Sequence, residues 1–199
     1  VEEKKEENSK WYAGVGLGNT IYPGNVINKS NLSVLLGMNL DEKVTVEGSV
    51  NFASFTLNNY WNGNNGTTVN NGLFAEMEQY SAALAIKYSL FESERFRPYI
   101  GASGDYVYRK YKNRIADTIF WNYDNYTTEQ TTNAINAAVI AGVDVKITKR
   151  FSAGGEVKYS MPVFRQDNGL VTRSYVMVYA KPLEESPYTS WLISLKFAF

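Results

Sequence analysis

The side chains of this chain that could do chemistry are carboxylates, lysines and arginines, because the sequence contains no histidine and no cysteine. Without histidine, the commonest general base and the commonest metal ligand are missing. Without cysteine, disulfides, thiolate nucleophiles and Cys-ligated metals are excluded. Acid–base catalysis by two carboxylates is the remaining option, but no pair of them stands out by its spacing. We therefore expect neither enzyme activity nor a cofactor or metal.

Nine charged residues recur on one face of alternating apolar and polar segments. They are Glu47, Lys87, Asp105, Arg109, Asp144, Lys146, Glu156, Lys158 and Lys196. Four are acidic and five are basic, so the set is nearly balanced. Burying unpaired charges in a narrow interior is costly, whereas a balanced set can form ion pairs. We expect a plug of paired charges, with an ion pathway as the alternative.

The elements that must position these charges are β-strands, because apolar and polar residues alternate with a period of two along most of the chain. Eight segments show this pattern, from Trp11–Gly18 at the start to Trp191–Phe199 at the end. Each segment is about as long as the 9–11 residues that a tilted membrane strand needs. Helical periodicity is not evident, so the sequence predicts an all-β fold.

The connections between the predicted strands alternate in length. The short ones are 41–43, 91–97 and 148–150, and the long ones are 19–31, 58–76, 112–130 and 163–187. An up-and-down barrel would collect all long loops at one end, which is typical of outer-membrane barrels. We predict that residues 10–199 form an eight-stranded antiparallel up-and-down transmembrane β-barrel, with residues 173–181 extending its wall. Residues 1–9 are expected to be a flexible periplasmic tail.

The apolar faces of the predicted strands fit contact with lipid. They carry no charged residue, and aromatic side chains such as Trp11, Tyr88 and Trp191 lie near the strand ends. Aromatic rings at such positions form girdles at membrane–water interfaces. A soluble, lipocalin-like barrel that carries a small apolar ligand would turn the same faces inward, and it stays open as an alternative.

Global composition argues against two other classes of protein. The formal net charge is zero, from 20 basic and 20 acidic residues. Since no basic excess exists to neutralise phosphates, nucleic-acid binding is not expected. No apolar run approaches the roughly 18 residues that a membrane helix needs.

Three segments resemble a known group of proteins. The C-terminal stretch WLISLKFAF, Trp191–Phe199, resembles the terminal β-signal of bacterial outer-membrane proteins, and Leu195, Phe197 and Phe199 would be its assembly-signal residues. Trp11–Gly18 and Arg97–Gly104 resemble the first and fifth strands of small barrels of the OmpA-like, OmpX and opacity-protein group. The resemblance implies a place in the bacterial outer membrane, among outer-membrane lipid and lipopolysaccharide. It also implies assembly by the barrel-assembly machinery.

The long loops carry the candidate binding residues, because exposed aromatic side chains at this density are typical of recognition surfaces. These residues are Tyr60, Trp61, Phe120, Trp121, Tyr123, Tyr175, Met177 and Tyr179. The alternative is that the loops pack on one another above the barrel. The sequence thus favours a surface protein that adheres to a host or surface ligand or supports the envelope. A narrow channel for ions or small solutes is the first alternative.

Overall fold

The computed structural model describes residues 10–23, 26–57, 74–91, 93, 95–114, 129–166 and 183–199. The strands are β1 (Trp11–Ile21), β2 (Val26–Asn39), β3 (Val44–Leu57), β4 (Phe74–Ser89), β5 (Phe96–Arg114), β6 (Glu129–Lys146), β7 (Phe151–Gln166) and β8 (Tyr188–Ala198), with a short 3-10 turn at Leu183–Glu185. All neighbours pair antiparallel in chain order, and β8 pairs with β1 to close the barrel. The predicted eight-stranded up-and-down barrel is confirmed. Among the described residues, no helix is long and apolar enough to cross a bilayer.

The two ends of the barrel differ in the length of their connections. Residues 40–43, 90–95 and 147–150 connect strands at one end, which we call the turn end. The connections 22–25, 58–73, 115–128 and 167–187 leave the opposite end, which we call the loop end.

The predicted long loop over 19–31 is wrong, because strand structure takes up most of it. β1 continues to Ile21 and β2 begins at Val26, which leaves the connection 22–25. The end of β1 is held by β8, where Ile21 lies opposite Thr189, and the start of β2 is held by β3, where Val26 lies opposite Leu57. Pairing with a longer neighbour therefore overrides the local polar composition that suggested a loop.

Side-chain oxygens close the hairpins at the turn end. Asp41 Oδ1 accepts hydrogen bonds from the backbone N–H groups of Lys43 and Val44, both at 2.7 Å. These two bonds hold the pKa of the Asp41 carboxyl below its usual value. In the connection between β6 and β7, Thr148 Oγ1 accepts a hydrogen bond from the backbone N–H of Phe151 at 3.0 Å. Asp and Thr stabilise such turns because their side chains reach the backbone a few residues on.

The inner and outer faces of the wall exchange polarity along the strands. Over most of the wall the outer face is apolar, as at Val50 and Leu84, and the inner face is polar. Near the loop end the inner face becomes apolar, as at Phe55 and Met77, which are fully buried. β1 and β8 have 11 residues, within the predicted length, whereas β2 to β7 have 14 to 19 residues because pairing continues past the apolar band.

A row of aromatic rings marks where the outer face changes. Phe52, Tyr80 and Tyr108 are direct cross-strand partners, and their ring centroids lie 5.2 and 6.2 Å apart. One rung closer to the loop end, the same strands carry Ser54, Glu78 and Lys110. Because tyrosine rings favour the membrane–water interface, Tyr80 and Tyr108 place the boundary of the apolar band at this row.

Candidate functional site

A tyrosine, a glycine and a glutamate lie side by side across the first three strands. Tyr12 in β1 pairs with Gly37 in β2, and Gly37 pairs with Glu47 in β3. The Tyr12 ring crosses Gly37, and its hydroxyl donates a hydrogen bond to Glu47 Oε2 at 2.5 Å. A Cβ atom at Gly37 would lie 2.0 Å from Cζ of Tyr12. The close approach of the ring therefore requires glycine at this position.

The same three residue types recur four strands later. Tyr99 in β5 pairs with Gly142 in β6, and Gly142 pairs with Glu156 in β7. The Tyr99 hydroxyl donates to Glu156 Oε2 at 2.9 Å, and a Cβ atom at Gly142 would lie 2.5 Å from the Tyr99 ring. In an eight-stranded barrel, four strands separate opposite walls. The two tyrosines thus reach into the lumen from opposite sides.

Two lysines tie these rungs together. Lys87 in β4 places Nζ 2.7 Å from Glu47 Oε1 and 2.6 Å from Glu156 Oε2. Lys196 in β8 places Nζ 2.8 Å from Asp144 Oδ1 and 3.6 Å from Glu47 Oε2. Both lysine side chains are only 5% exposed. We call this set the lumen cluster: Tyr12, Glu47, Lys87, Tyr99, Asp144, Glu156 and Lys196.

Within the lumen cluster, two tyrosines and a lysine donate hydrogen bonds to the two glutamates. Glu47 accepts a hydrogen bond at each carboxylate oxygen, from Tyr12 and from Lys87, and Glu156 accepts both of its bonds, from Tyr99 and from Lys87, at Oε2. Charge-assisted bonds of this kind are among the strongest in proteins. The side chains come from β1 and from each of the strands β3 to β8, so the cluster spans the lumen.

The other candidate lumen residues lie apart from the cluster. Asp105 pairs with Lys158 at 2.6 Å, farther toward the loop end. Arg109 donates to the Tyr22 hydroxyl at 2.9 Å and to Gln79 Oε1 at 3.0 Å. Lys146 is exposed at the mouth of the turn end rather than buried in the interior. The structure therefore brings together five of the nine charged residues and separates four.

An apolar core fills the lumen at the loop end. Its buried members are Tyr22, Ala53, Phe55, Leu57, Met77, Tyr111, Leu183 and Tyr188, and we call them the loop-end core. The Tyr22 ring packs on Phe55 at 5.5 Å and on Tyr188 at 4.8 Å. Sequence reasoning missed this core. The signal was present, since Phe55 has the same strand parity as Glu47, and Met77 the same as Lys87.

Two cavities lie on either side of the lumen cluster. The larger one, of about 950 Å³, opens at the turn end, and Tyr12, Lys87, Tyr99, Asp144 and Lys196 form its inner wall. The smaller one, of about 50 Å³, is lined by Ser33, Ser49, Asn51 and Ser81 on the loop-end side. The cluster thus separates a wide vestibule from a small polar chamber.

The remaining candidate residues divide into two groups. Leu195, Phe197 and Phe199 face outward near the turn end, and the Phe199 N–H donates to the carbonyl of Trp11 at 3.0 Å. The candidate loop residues lie outside the described residues, as do residues 1–9 and 173–181: Tyr60, Trp61, Phe120, Trp121, Tyr123, Tyr175, Met177 and Tyr179.

Comparison with known sequences gives one family. Residues 1–177 match the family model of the outer membrane protein beta-barrel domain. This stretch includes β1 to β7. No curated protein matches the chain significantly by sequence.

Three solved structures share the architecture at low sequence identity. Neisserial surface protein A has 9% identity and a TM-score of 0.57, covering 96% of this chain and 97% of its own. Ail, the attachment invasion locus protein of Yersinia pestis, has 11% identity and a TM-score of 0.52, covering 96% and 97%. The N-terminal barrel of Pseudomonas aeruginosa OprF has 14% identity and a TM-score of 0.50, covering 96% and 98%. Identities this low establish the shared fold only.

Proposed function

Because the chain belongs to the outer membrane protein β-barrel family, we propose that it is a surface-interaction barrel with a closed lumen rather than a channel. Its place is the bacterial outer membrane. In this proposal the wall holds the protein in the membrane, and the loop end carries the binding surface for adhesion to a host or surface ligand. Lipopolysaccharide and other outer-membrane lipids surround the apolar band.

The side-chain contacts across the lumen are the observation that supports this proposal. The lumen cluster crosses the interior on the turn-end side, and the loop-end core fills the interior on the other side. Opening the cluster would strand a buried charge, and removing one partner of such a pair costs about 3–5 kcal/mol. An ion would also have to pass the packed rings of Tyr22, Phe55 and Tyr188.

The similarity to Ail supports a binding role for the loop end. That protein is named for attachment and invasion, and it has been solved with the heparin analogue sucrose octasulfate. In the present chain, the aromatic loop residues Trp61, Trp121 and Tyr123 are the candidates for such contact. Rigid aromatic side chains supply much of the binding energy at protein surfaces.

Conductance in a planar bilayer tests closure. The full chain, refolded from detergent, should insert without producing single-channel steps. A folded and silent barrel supports the closed lumen. Stable and reproducible steps would overturn it in favour of the narrow channel, and Arg109, Glu156 and Lys158 would then be the residues to vary.

Substitution of the aromatic loop residues tests the binding role. Replacing Trp61, Trp121 and Tyr123 by serine should abolish binding of cells that display the protein to host-cell or extracellular-matrix surfaces, while the barrel stays folded. Phe91→Ser is the matched control, because this exposed aromatic residue lies at the turn end. Unchanged binding by the triple variant would refute the proposed surface.

A further inference from the structure

We propose that the vestibule at the turn end is a binding site for a phosphate-bearing anion. The vestibule has a volume of about 950 Å³ and is lined by the turn-end hairpins and by the lumen cluster. Pockets that bind small molecules commonly measure about 300–1,000 Å³. This inference concerns the opposite end of the barrel from the proposed adhesive surface, and it does not depend on that proposal.

The charge of the vestibule is the first argument. Its described lining residues include seven basic and three acidic side chains: Lys10, Lys87, Arg97, Lys146, Lys149, Arg150 and Lys196 against Asp41, Glu42 and Asp144. The whole chain has a formal net charge of zero. Because Lys87 and Lys196 are paired with Glu47, Glu156 and Asp144, five basic side chains remain against Asp41 and Glu42. The basic excess is therefore local, and a concave surface of one sign attracts ions of the other.

The second argument is that some of these cations have no ion-pair partner among the described residues. Among the described residues, Lys10, Arg97 and Arg150 form no ion pair, in contrast to Lys87 and Lys196 in the wall of the cluster. The charges of Lys10 and Arg150 are therefore available to a ligand, and Arg97 is opposed only by the electrostatic interaction with Asp41.

Arg97 is held in place by neutral acceptors. Its guanidinium donates to Ser89 Oγ at 2.5 Å, Asn39 Oδ1 at 3.1 Å and the carbonyl of Glu42 at 3.1 Å. These bonds fix the side chain, and the nearby Asp41 carboxylate interacts with the guanidinium electrostatically without forming an ion pair. A positioned guanidinium suits phosphate oxygens, because its planar donors match their geometry.

The inner wall determines how a ligand enters. Tyr12, Tyr99 and the two cluster lysines close the vestibule toward the loop end, so the anion must come from the turn end. The phosphate could belong to a lipid headgroup of the adjacent leaflet or to a soluble solute, and both sources offer the same chemistry.

Titration with inorganic pyrophosphate tests the site. The full chain is refolded in uncharged maltoside micelles, and backbone amide signals are followed at constant ionic strength. We expect saturable shifts at Asn39, Lys146 and Arg150. Arg150→Gln should raise the Kd about tenfold, the size of one lost charge-assisted contact. Lys29→Gln, an exposed loop-end lysine, is the matched control and should leave the Kd unchanged.

The outcomes separate the proposal from its rivals. Shifts that fail to saturate, or equal Kd values for Arg150→Gln and the unaltered protein, would overturn it. Substitutions at Arg150 and Lys10 are preferred, because Arg97→Gln would also disturb three hydrogen bonds of the hairpins. Uncharged glycolipid nanodiscs with and without phosphatidylglycerol then identify the source. Shifts of the same amides caused by the lipid indicate a headgroup, and shifts only with pyrophosphate indicate a solute.

Discussion

Tyr12 and Tyr99 hold equivalent positions in the two halves of the barrel. Each ring crosses a glycine of the next strand and donates a hydrogen bond to a glutamate of the strand after it. The lysines that bind these glutamates lie in β4 and β8, which are again four strands apart. Each half therefore contributes one Tyr, one Gly, one Glu and one Lys, so that the lumen cluster is braced from opposite walls.

The ring-over-glycine arrangement predicts that Gly37→Ala and Gly142→Ala destabilise the barrel. A methyl group at either site would overlap a tyrosine ring and displace its hydroxyl from the glutamate. Overpacking of this kind costs about 1–3 kcal/mol. The measurement is denaturant unfolding from lipid vesicles. Gly155→Ala is the matched control, because nothing lies within 4 Å of its added Cβ, and a loss there equal to that of Gly37→Ala would contradict the explanation.

Burial predicts that the two ion pairs of Lys87 and the single ion pair of Lys29 contribute differently to stability. Lys87→Met leaves Glu47 and Glu156, whose side chains are 5% and 15% exposed, without their shared cation. This change should cost about 3–5 kcal/mol. Lys29→Met breaks the pair with Glu76, whose side chains are 49% and 41% exposed, and should cost at most about 1 kcal/mol. Unfolding midpoints of the two variants in vesicles give the comparison. Losses of equal size would show that the lumen cluster is not buried as described.

Much of the fold was predictable from the sequence, because a period-two pattern specifies both the strand and its two faces. Outward residues such as Val15 and Leu84 are exposed as the alternation predicts, and inward Glu47 and Lys87 are buried. Near the loop end, where the two faces exchange polarity, the pattern no longer predicts which face lies inside the barrel. There the outer face meets water, and an apolar side chain such as Phe55 turns inward.

The contacts within the candidate site were less predictable. The set of inward charges follows from strand parity, but their pairing depends on the register and curvature of the closed sheet. Lys87 reaches Glu156 across the lumen, 69 residues later in the chain. The roles of Gly37 and Gly142 also depend on register, because only the paired strand shows which ring crosses each glycine. No local sequence pattern contains that information.

The hydrogen bonds of Asp41 predict that the stability of the β2–β3 hairpin depends on pH. Its pKa is lowered in the folded chain because the N–H groups of Lys43 and Val44 donate to the carboxylate. The stabilisation is therefore fully present above the pKa of the unfolded chain, and it is lost as pH falls through the lower folded value. Carboxyl chemical shifts should titrate below the ordinary value of about 3.9. Exchange protection of the Val44 amide should fall in the same range, and Asp41→Asn should abolish that pH dependence. A titration at the ordinary value would refute the turn geometry.

The exchange of the two faces predicts where the wall tolerates a charge. Leu84 faces outward in the middle of the apolar band and is 63% exposed, so Leu84→Arg should place a guanidinium in hydrocarbon. Such a substitution near the bilayer midplane costs about 2–4 kcal/mol. Ser30 also faces outward, but it lies opposite Ser54, one rung beyond the row of Phe52 and Tyr80. Ser30→Arg should therefore cost less than about 1 kcal/mol in the same vesicles, as charges near the interface do. If the two variants lost the same stability, or if Leu84→Arg were neutral, the lipid-facing band would have to lie elsewhere on the wall.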